Sequence, residues 1–207
     1  MKPPLEPVED YFRSKLLENG STARGVDWKD EASQQLRFEV INRYIDFSLH
    51  PSILDVGCGT GEYLNYTQQL GHSIDYHGID IVEEMVECTN ARFGEGTASR
   101  MDISAIPNGR PYDYVIASGT FNAKLNCHSA PWRDYFFQSL SHMYQHCTRS
   151  VIFNCMSPRV DFRYRRLFYP DASDLVNFIV TSLSRDFIMD HSYPLYEMTV
   201  CVNHPSR

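Results

Sequence analysis

The residues best equipped for chemistry lie in Asp55-Val56-Gly57-Cys58-Gly59-Thr60-Gly61-Glu62, where an acid precedes glycines at alternate positions. An apolar run, Ile53 to Val56, leads into this loop and a helical stretch opens out of it. Glycine has no Cβ and tolerates positive φ, so the backbone can approach a ligand closely. The following helix offers free N–H groups and the positive end of its dipole. The spacing is G-x-G-x-G, which differs from the dinucleotide fingerprint G-x-G-x-x-G. Two further reactive-looking sets are weaker. His142 and His146 stand at metal-ligand spacing beside Cys147 but have no local acid to complete a set. Cys127-His128 pairs a thiol with a base, without a reaction that requires a covalent intermediate.

At Asp55 to Gly61 the chain resembles the class I S-adenosylmethionine-dependent methyltransferases, and by motif order the resemblance runs from about Ile53 to Cys155. It implies S-adenosylmethionine as cofactor, with Gly57, Cys58, Gly59 and Gly61 wrapping its methionine part and Asp55 at its amino group. It also implies that Asp80, 23 residues after Gly57, accepts hydrogen bonds from the ribose hydroxyls. A carboxylate suits that role because it takes two donors at once. Ile81 and Met85 would then line the adenine, Asp102 would receive its exocyclic amine beside Ile103, and Ser118 would complete the site. A hydride-transfer enzyme would share Asp80 but leave Asp55 and Asp102 unexplained. The plain alternatives are a helix cap for Asp80 and an ordinary turn acid for Asp102.

The acceptor is less defined. Ser118-Gly119-Thr120-Phe121-Asn122 lacks the Asn/Asp-Pro-Pro-aromatic motif of enzymes that methylate adenine or glutamine amides. Asn122 is a candidate catalytic and substrate-binding residue that could orient a nucleophile, or a turn-capping residue. The lead-in Gly25-Val26-Asp27-Trp28, followed by Ser33-Gln34 and Arg37-Phe38, resembles a group of small bacterial methyltransferases. There Trp28 is either a lid over the cofactor or a core anchor, and Arg37 either pairs with the cofactor carboxylate or is a solvated charge. Arg159 to Tyr169 holds four arginines and one aspartate, a local net charge of +3 in a chain of net charge −7. Arg163, Arg165 and Arg166 either receive an anionic acceptor, belong to a solvated loop, or join an RNA-binding groove.

The elements that must position these residues follow from periodicity. Residues 1 to 29 read as an irregular, proline-rich lead-in. Asp30 reads as the cap of an amphipathic helix through Leu36, Val40, Ile41, Tyr44, Ile45 and Leu49, ended by His50-Pro51. Strands are expected at Ile53–Val56, Asp75–Asp80, Tyr114–Ser118 and Val151–Cys155. They alternate with helices at about 62–70, through Met85 and Val86 to Phe93, and at 132–147. A last helix, 172–183, precedes an antiparallel pair of strands, 187–190 and 196–202. This pattern predicts an α/β fold, a mostly parallel twisted sheet with helices on both faces and an antiparallel C-terminal edge. The organisation expected is one domain over 1–207, with an N-terminal lid and helix (1–50), a cofactor-binding core (51–155) and an acceptor-side insertion and β-hairpin (156–207).

Composition sets the outer limits. With 43% hydrophobic and 22% charged residues the chain can bury one core. No apolar run approaches the length of a membrane span, and the N-terminal residues carry prolines and an acid where a secretory signal is apolar. Six cysteines without a C-x-x-C pair suit free thiols in a cytoplasmic protein. The acidic balance disfavours a nucleic-acid partner. The expected function is methyl transfer to an oxygen or nitrogen of a small molecule, an anionic acceptor being one reading. The alternatives are an RNA or protein methyltransferase and a catalytically silent cofactor-binding module.

Overall fold

In a computed structural model, which describes Pro3 and residues 5–106 and 111–205, the central strand is β1 (Ser52–Val56), buried along its whole length. Its alternate side chains serve two cores. Leu54 and Val56 join Val115, Phe136, Leu140 and Phe153 on one face, and Ile53 joins Phe38, Ile41, Tyr63 and Ile116 on the other. Apolar residues on both sides are what a parallel sheet covered by helices on each face requires. Asp55 interrupts the second of these faces.

Parallel partners flank β1: β2 (Asp75–Asp80) on one side and β4 (Tyr112–Ala117) on the other. The sheet continues through β3 (Ala98–Arg100) beyond β2 and β5 (Cys147–Met156) beyond β4. Then β7 (Glu197–Asn203) pairs antiparallel with β5, and β6 (Phe187–Asp190) pairs antiparallel with β7 at the edge. The order β3-β2-β1-β4-β5-β7-β6 reverses direction between β1 and β4. A crevice opens outside the carboxyl ends of the strands at such a switch point.

Among the described residues six α-helices surround the sheet: α1 (Glu6–Asn19), α2 (Glu31–Asn42), α3 (Glu62–Gln69), α4 (Glu83–Phe93), α5 (Ser129–Gln145) and α6 (Ala172–Phe178). Asp30 caps α2 as expected, its carboxylate accepting from Ser33 N at 2.8 Å. The irregular lead-in is corrected, since α1 occupies much of it. Pro7 sits in the first turn, where a missing N–H costs nothing. The helix packs through a narrow apolar stripe, Val8, Phe12 and Leu16, with ion pairs along its rim. Arg13 meets Glu9 and Asp10 on α1 and Glu84 on α4 at 2.6 to 2.7 Å.

Other boundaries differ as well, among them β5, which begins at Cys147 rather than Val151 and so ends α5 at Gln145. Helix α2 stops at Asn42, and the chain reaches Pro51 through a short 3₁₀ turn, Phe47–Leu49, whose start Asp46 caps. The strand β3 was not expected because it has three residues, Ala-Ser-Arg, with no apolar alternation. The expected helix at 172–183 is α6 followed by a π-helical turn, Ile179–Leu183. No helix among the described residues is long and apolar enough to cross a membrane.

Candidate active site

The glycine loop turns between β1 and α3 with φ of 74° at Gly57, 55° at Gly59 and 77° at Gly61. Gly57 N and Cys58 N both donate to Ile79 O, at 2.7 and 3.1 Å, which ties the loop to β2. A Cβ on Gly57 would stand 2.5 Å from Thr120 Cγ2, so neither its conformation nor its surroundings admit a side chain. Cys58 is buried behind the loop, where burial holds its thiol well above the usual range and makes it a packing residue.

The acids are placed at strand ends. Asp80 closes β2 and is buried; Oδ2 accepts from Gly59 N and Oδ1 from Val82 N, each at 2.9 Å. The helix-capping alternative is thus partly realised, yet each oxygen keeps a second lone pair for a hydroxyl donor. Burial raises its pKa, and the backbone N–H groups oppose the rise. Asp55 is buried beside Tyr76, whose hydroxyl donates to it at 2.9 Å. Burial pushes its pKa up to about 7; the Tyr76 hydrogen bond opposes this and the Asp80 charge adds to it. Asp102 accepts from the hydroxyl of Tyr135, on α5, at 2.9 Å. Sequence reasoning missed Tyr135, one of many tyrosines without a motif.

These residues line one cavity of about 660 Å³. Its walls include every residue expected to meet the cofactor except Gly61: Trp28, Arg37, Asp55, Gly57, Cys58, Gly59, Asp80, Ile81, Met85, Asp102, Ile103 and Ser118. Gly61 lies beneath, where a Cβ would stand 2.8 Å from the Phe93 ring. Leu5, just before α1, and Val8 and Phe12 of α1 close the cavity on another side.

Across the cavity, the ring of Trp28 covers Gly119. A Cβ there would lie 2.3 Å from Trp28 Cη2, and Gly119 has φ of 76°. The guanidinium of Arg37 stacks on the same indole at 3.9 Å. Arg37 is not a solvated charge, being only 7% exposed. Its Nε and Nη2 donate to Glu197 Oε2 and Oε1 at 2.8 and 2.5 Å, and Nη1 donates to Ser33 O. A fork-to-fork pair of this kind is among the stronger charged hydrogen bonds. Glu197 was missed, although a lone acid beginning a buried strand calls for a cation.

Asn122 also lines the cavity and is 7% exposed. Its Oδ1 accepts from Met156 N at 3.2 Å, joining the loop after β4 to the end of β5. Nδ2 has no partner among the described residues. Ser118 and Gly119 are held from β5 by Asn154, whose Oδ1 accepts from Gly119 N at 2.6 Å.

The arginine segment does not act as a unit. Arg163 and Arg165 are exposed and do not line the cavity; Arg163 donates to Pro158 O and sits over the Tyr169 ring. Arg166 lines the cavity, but its Nη1 meets Asp27 Oδ2 at 2.7 Å and Tyr11 Oη at 3.3 Å. Of the three arginines offered as partners of an anionic acceptor, Arg166 reaches the cavity wall, where an acid of the lead-in holds it, while aromatic packing turns Arg163 aside and Arg165 lies outside. The weaker sets stay apart too. His146 Nδ1 contacts His142 O, Cys127 Sγ faces the carbonyl of His128, and no group of three potential metal ligands is found among the described residues.

Comparison with known proteins agrees with this geometry. A family described as a methyltransferase domain matches residues 53–146. Rv1506c of Mycobacterium tuberculosis (strain ATCC 25618 / H37Rv), assigned as a methyltransferase, is 35% identical over 157 residues, 75% of this chain and 94% of that protein. Among solved structures, magnesium protoporphyrin IX methyltransferase from Synechocystis PCC 6803 with bound SAH superposes with a TM-score of 0.71. It is 18% identical, with 98% of this chain and all of that one covered. The 1,6-didemethyltoxoflavin-N1-methyltransferase of Burkholderia thailandensis gives 0.68 at 14% identity, covering 100% and 92% of the two chains. At such identities the two structures establish the shared fold.

Proposed function

The chain belongs to the S-adenosylmethionine-dependent methyltransferases, and from that premise we propose that its acceptor is a small molecule, methylated on oxygen or nitrogen. One observation carries the reading: the clasped glycine loop and the carboxylate of Asp80 face, across one cavity, a wall built from the lead-in and the loop after β4. The residues fit the cofactor. A loop that no Cβ can enter leaves room for a ligand against the backbone, and Asp80 retains acceptor capacity after its two backbone bonds. Asp55 would meet the amino group, Asp102 the adenine, and Ile81, Met85 and Ile103 its faces.

When bound, S-adenosylmethionine supplies a methyl group on a positively charged sulfur. The chain's own residues would then orient the acceptor atom and exclude water. Trp28 and α1 restrict access, while Asn122 and the Arg37–Glu197 pair form fixed polar edges. Among the described residues the carboxylates lining the cavity are those of the cofactor side, Asp55, Asp80 and Asp102, and those paired with arginine, Asp27, Glu62 and Glu197, which suits an acceptor that is nucleophilic without a base or loses its proton to water. Cytoplasmic location and a single-domain organisation belong to the same proposal.

The test is product mass spectrometry after incubating the protein with labelled S-adenosylmethionine and a metabolite extract. The expected result is label in a small molecule. Label confined to RNA or protein would overturn the small-molecule reading, and a calorimetric titration without S-adenosylhomocysteine binding would overturn the cofactor assignment.

A further inference from the structure

The acceptor side of the cavity has three features that bear on the kind of molecule it takes. Its two inward cations are already neutralised, Arg37 by Glu197 and Arg166 by Asp27. Across the whole cavity the side chains of Asp27, Asp55, Glu62, Asp80, Asp102 and Glu197 outnumber those of Lys29, Arg37 and Arg166. An anionic acceptor would therefore enter a field of its own sign, or have to break an existing ion pair.

The second feature is aromatic. Phe162 and Tyr164 line the cavity while remaining 59% and 54% exposed. Their rings meet edge to face at 5.0 Å, and Tyr196, also half-exposed, stands at the mouth with its hydroxyl donating to Asp161. Large rings left in water at the entrance of a cavity offer faces to another flat ring. The third feature is the amide of Asn122. With Oδ1 engaged by Met156 N, the orientation of the amide is fixed, and Nδ2 is a donor without a partner among the described residues, just beneath the cavity surface. Leaving a donor unsatisfied costs stability and is rare in folded proteins.

We infer that the acceptor is a neutral, flat ring system carrying an oxygen or nitrogen that accepts a hydrogen bond from Asn122 Nδ2, a small shift of the cavity wall uncovering that donor as the ring enters. Phe162, Tyr164 and Tyr196 receive the ring, and Asn122 sets its orientation at the cavity wall. This rests on the methyltransferase reading and narrows its substrate class. Asn122 discriminates by need: a ring without an acceptor atom buries the amide unpaired, whereas a ring carbonyl or ring nitrogen satisfies it.

Binding of simple probes to protein saturated with S-adenosylhomocysteine tests the inference. Quinolin-4-one is neutral and carries a carbonyl, 1-naphthoate is anionic, and naphthalene has neither group. Quinolin-4-one should bind about tenfold more tightly than 1-naphthoate, and Asn122→Ala should remove about tenfold of its affinity while leaving that of naphthalene unchanged. Tyr164→Ala, an exposed change that keeps the fold, should weaken both neutral probes by about threefold or more. Three results would overturn the inference: 1-naphthoate binding as tightly as quinolin-4-one, no binding of quinolin-4-one to the loaded protein, or unchanged affinities in Tyr164→Ala. Failure of S-adenosylhomocysteine itself to bind would instead count against the underlying reading.

Discussion

In the cofactor half of the cavity the polar groups are backbone amides and carboxylates at the ends of β1 and β2, held by bonds that span about twenty residues, such as Gly59 N to Asp80. In the acceptor half they are side chains brought together from far apart: Arg37 and Glu197 are 160 residues distant in sequence, and Asp27 and Arg166 are 139. The first half is a local motif that β1, α3 and β2 generate as they fold. The second exists only when the lead-in, the segment after β5 and β7 have all docked. Cofactor recognition is thereby tied to the core, and acceptor recognition to the parts that close over it.

The sharpest way to break this comparison is to remove the Arg37 guanidinium. Glu197 is almost fully buried and both its oxygens face Arg37, so Arg37→Ala strands a charge in the interior. The expected destabilisation is about 3–5 kcal/mol, and a paired Arg37→Met, Glu197→Leu variant should recover most of it. Chemical denaturation of the three proteins measures both effects. Recovery of stability without recovery of turnover would place the pair's value in shaping the acceptor wall.

Asp55 sharpens the comparison from the other side, as a buried carboxylate with no cation beside it. Its pKa in the folded state is raised to about 7 from the usual 3.8. The folded state therefore holds the proton more tightly than the unfolded chain. The associated stability is fully present below about pH 4 and is lost as pH rises through about 7, by at most about 4 kcal/mol. Asp55→Asn keeps an acceptor for Tyr76 and has no charge to bury. Its stability relative to wild type should rise between pH 4 and 7, and a constant difference across that window would show Asp55 to be ionised throughout.

Much of the sheet was legible because β1, β2, β4 and β5 combine apolar runs with abrupt ends at Gly, Asp or Ser. The glycine loop and Asp80 were legible because backbone conformation demanded particular residues at fixed spacing. Asp30 likewise announced α2. What could not be read depends on distant partners. Helix α1 has too narrow an apolar face to reveal itself, Val8, Phe12 and Leu16, and its ion partners, Glu84 of α4 and Arg100 at the end of β3, lie far off in sequence. Strand β3 is defined only by its pairing with β2. Arg37 looked like a surface charge because its partner lies in β7, and the arginines near residue 163 looked like a cluster because proximity in sequence conceals that Arg163 and Arg166 have different partners.

A smaller effect is expected at Asp80. Removing the carboxylate takes away one hydrogen-bonding partner of Gly59 N and of Val82 N, together with the proposed partner of the ribose. Asp80→Ala should weaken S-adenosylhomocysteine binding by about 1–3 kcal/mol in calorimetry. Because the acceptor wall does not touch this carboxylate, affinity for an acceptor measured at saturating cofactor should change little. A comparable loss on both sides would mean that the two halves are coupled through the glycine loop.

The smallest effects belong to the arginines after β5, and there the distinction between the three matters more than the size. Arg166 bridges the loop to Asp27 of the lead-in through a pair that is partly open to solvent, a contact worth about 0–1 kcal/mol. Arg166→Ala should leave the melting temperature almost unchanged. It should loosen the contact between the loop and the lead-in, where Tyr11 and Asp27 lie, and so speed exchange of bound S-adenosylhomocysteine by a few-fold, about what the loss of 1 kcal/mol permits. Arg163→Ala and Arg165→Ala, whose side chains lie outside the cavity, should match wild type in cofactor exchange and acceptor affinity alike. Stopped-flow release of a fluorescent S-adenosylhomocysteine analogue separates the cases. If all three variants behaved alike, or if Arg165→Ala had the largest effect, the segment would be acting as a common positive surface, and the separate partners seen for Arg163 and Arg166 would not govern closure of the acceptor half.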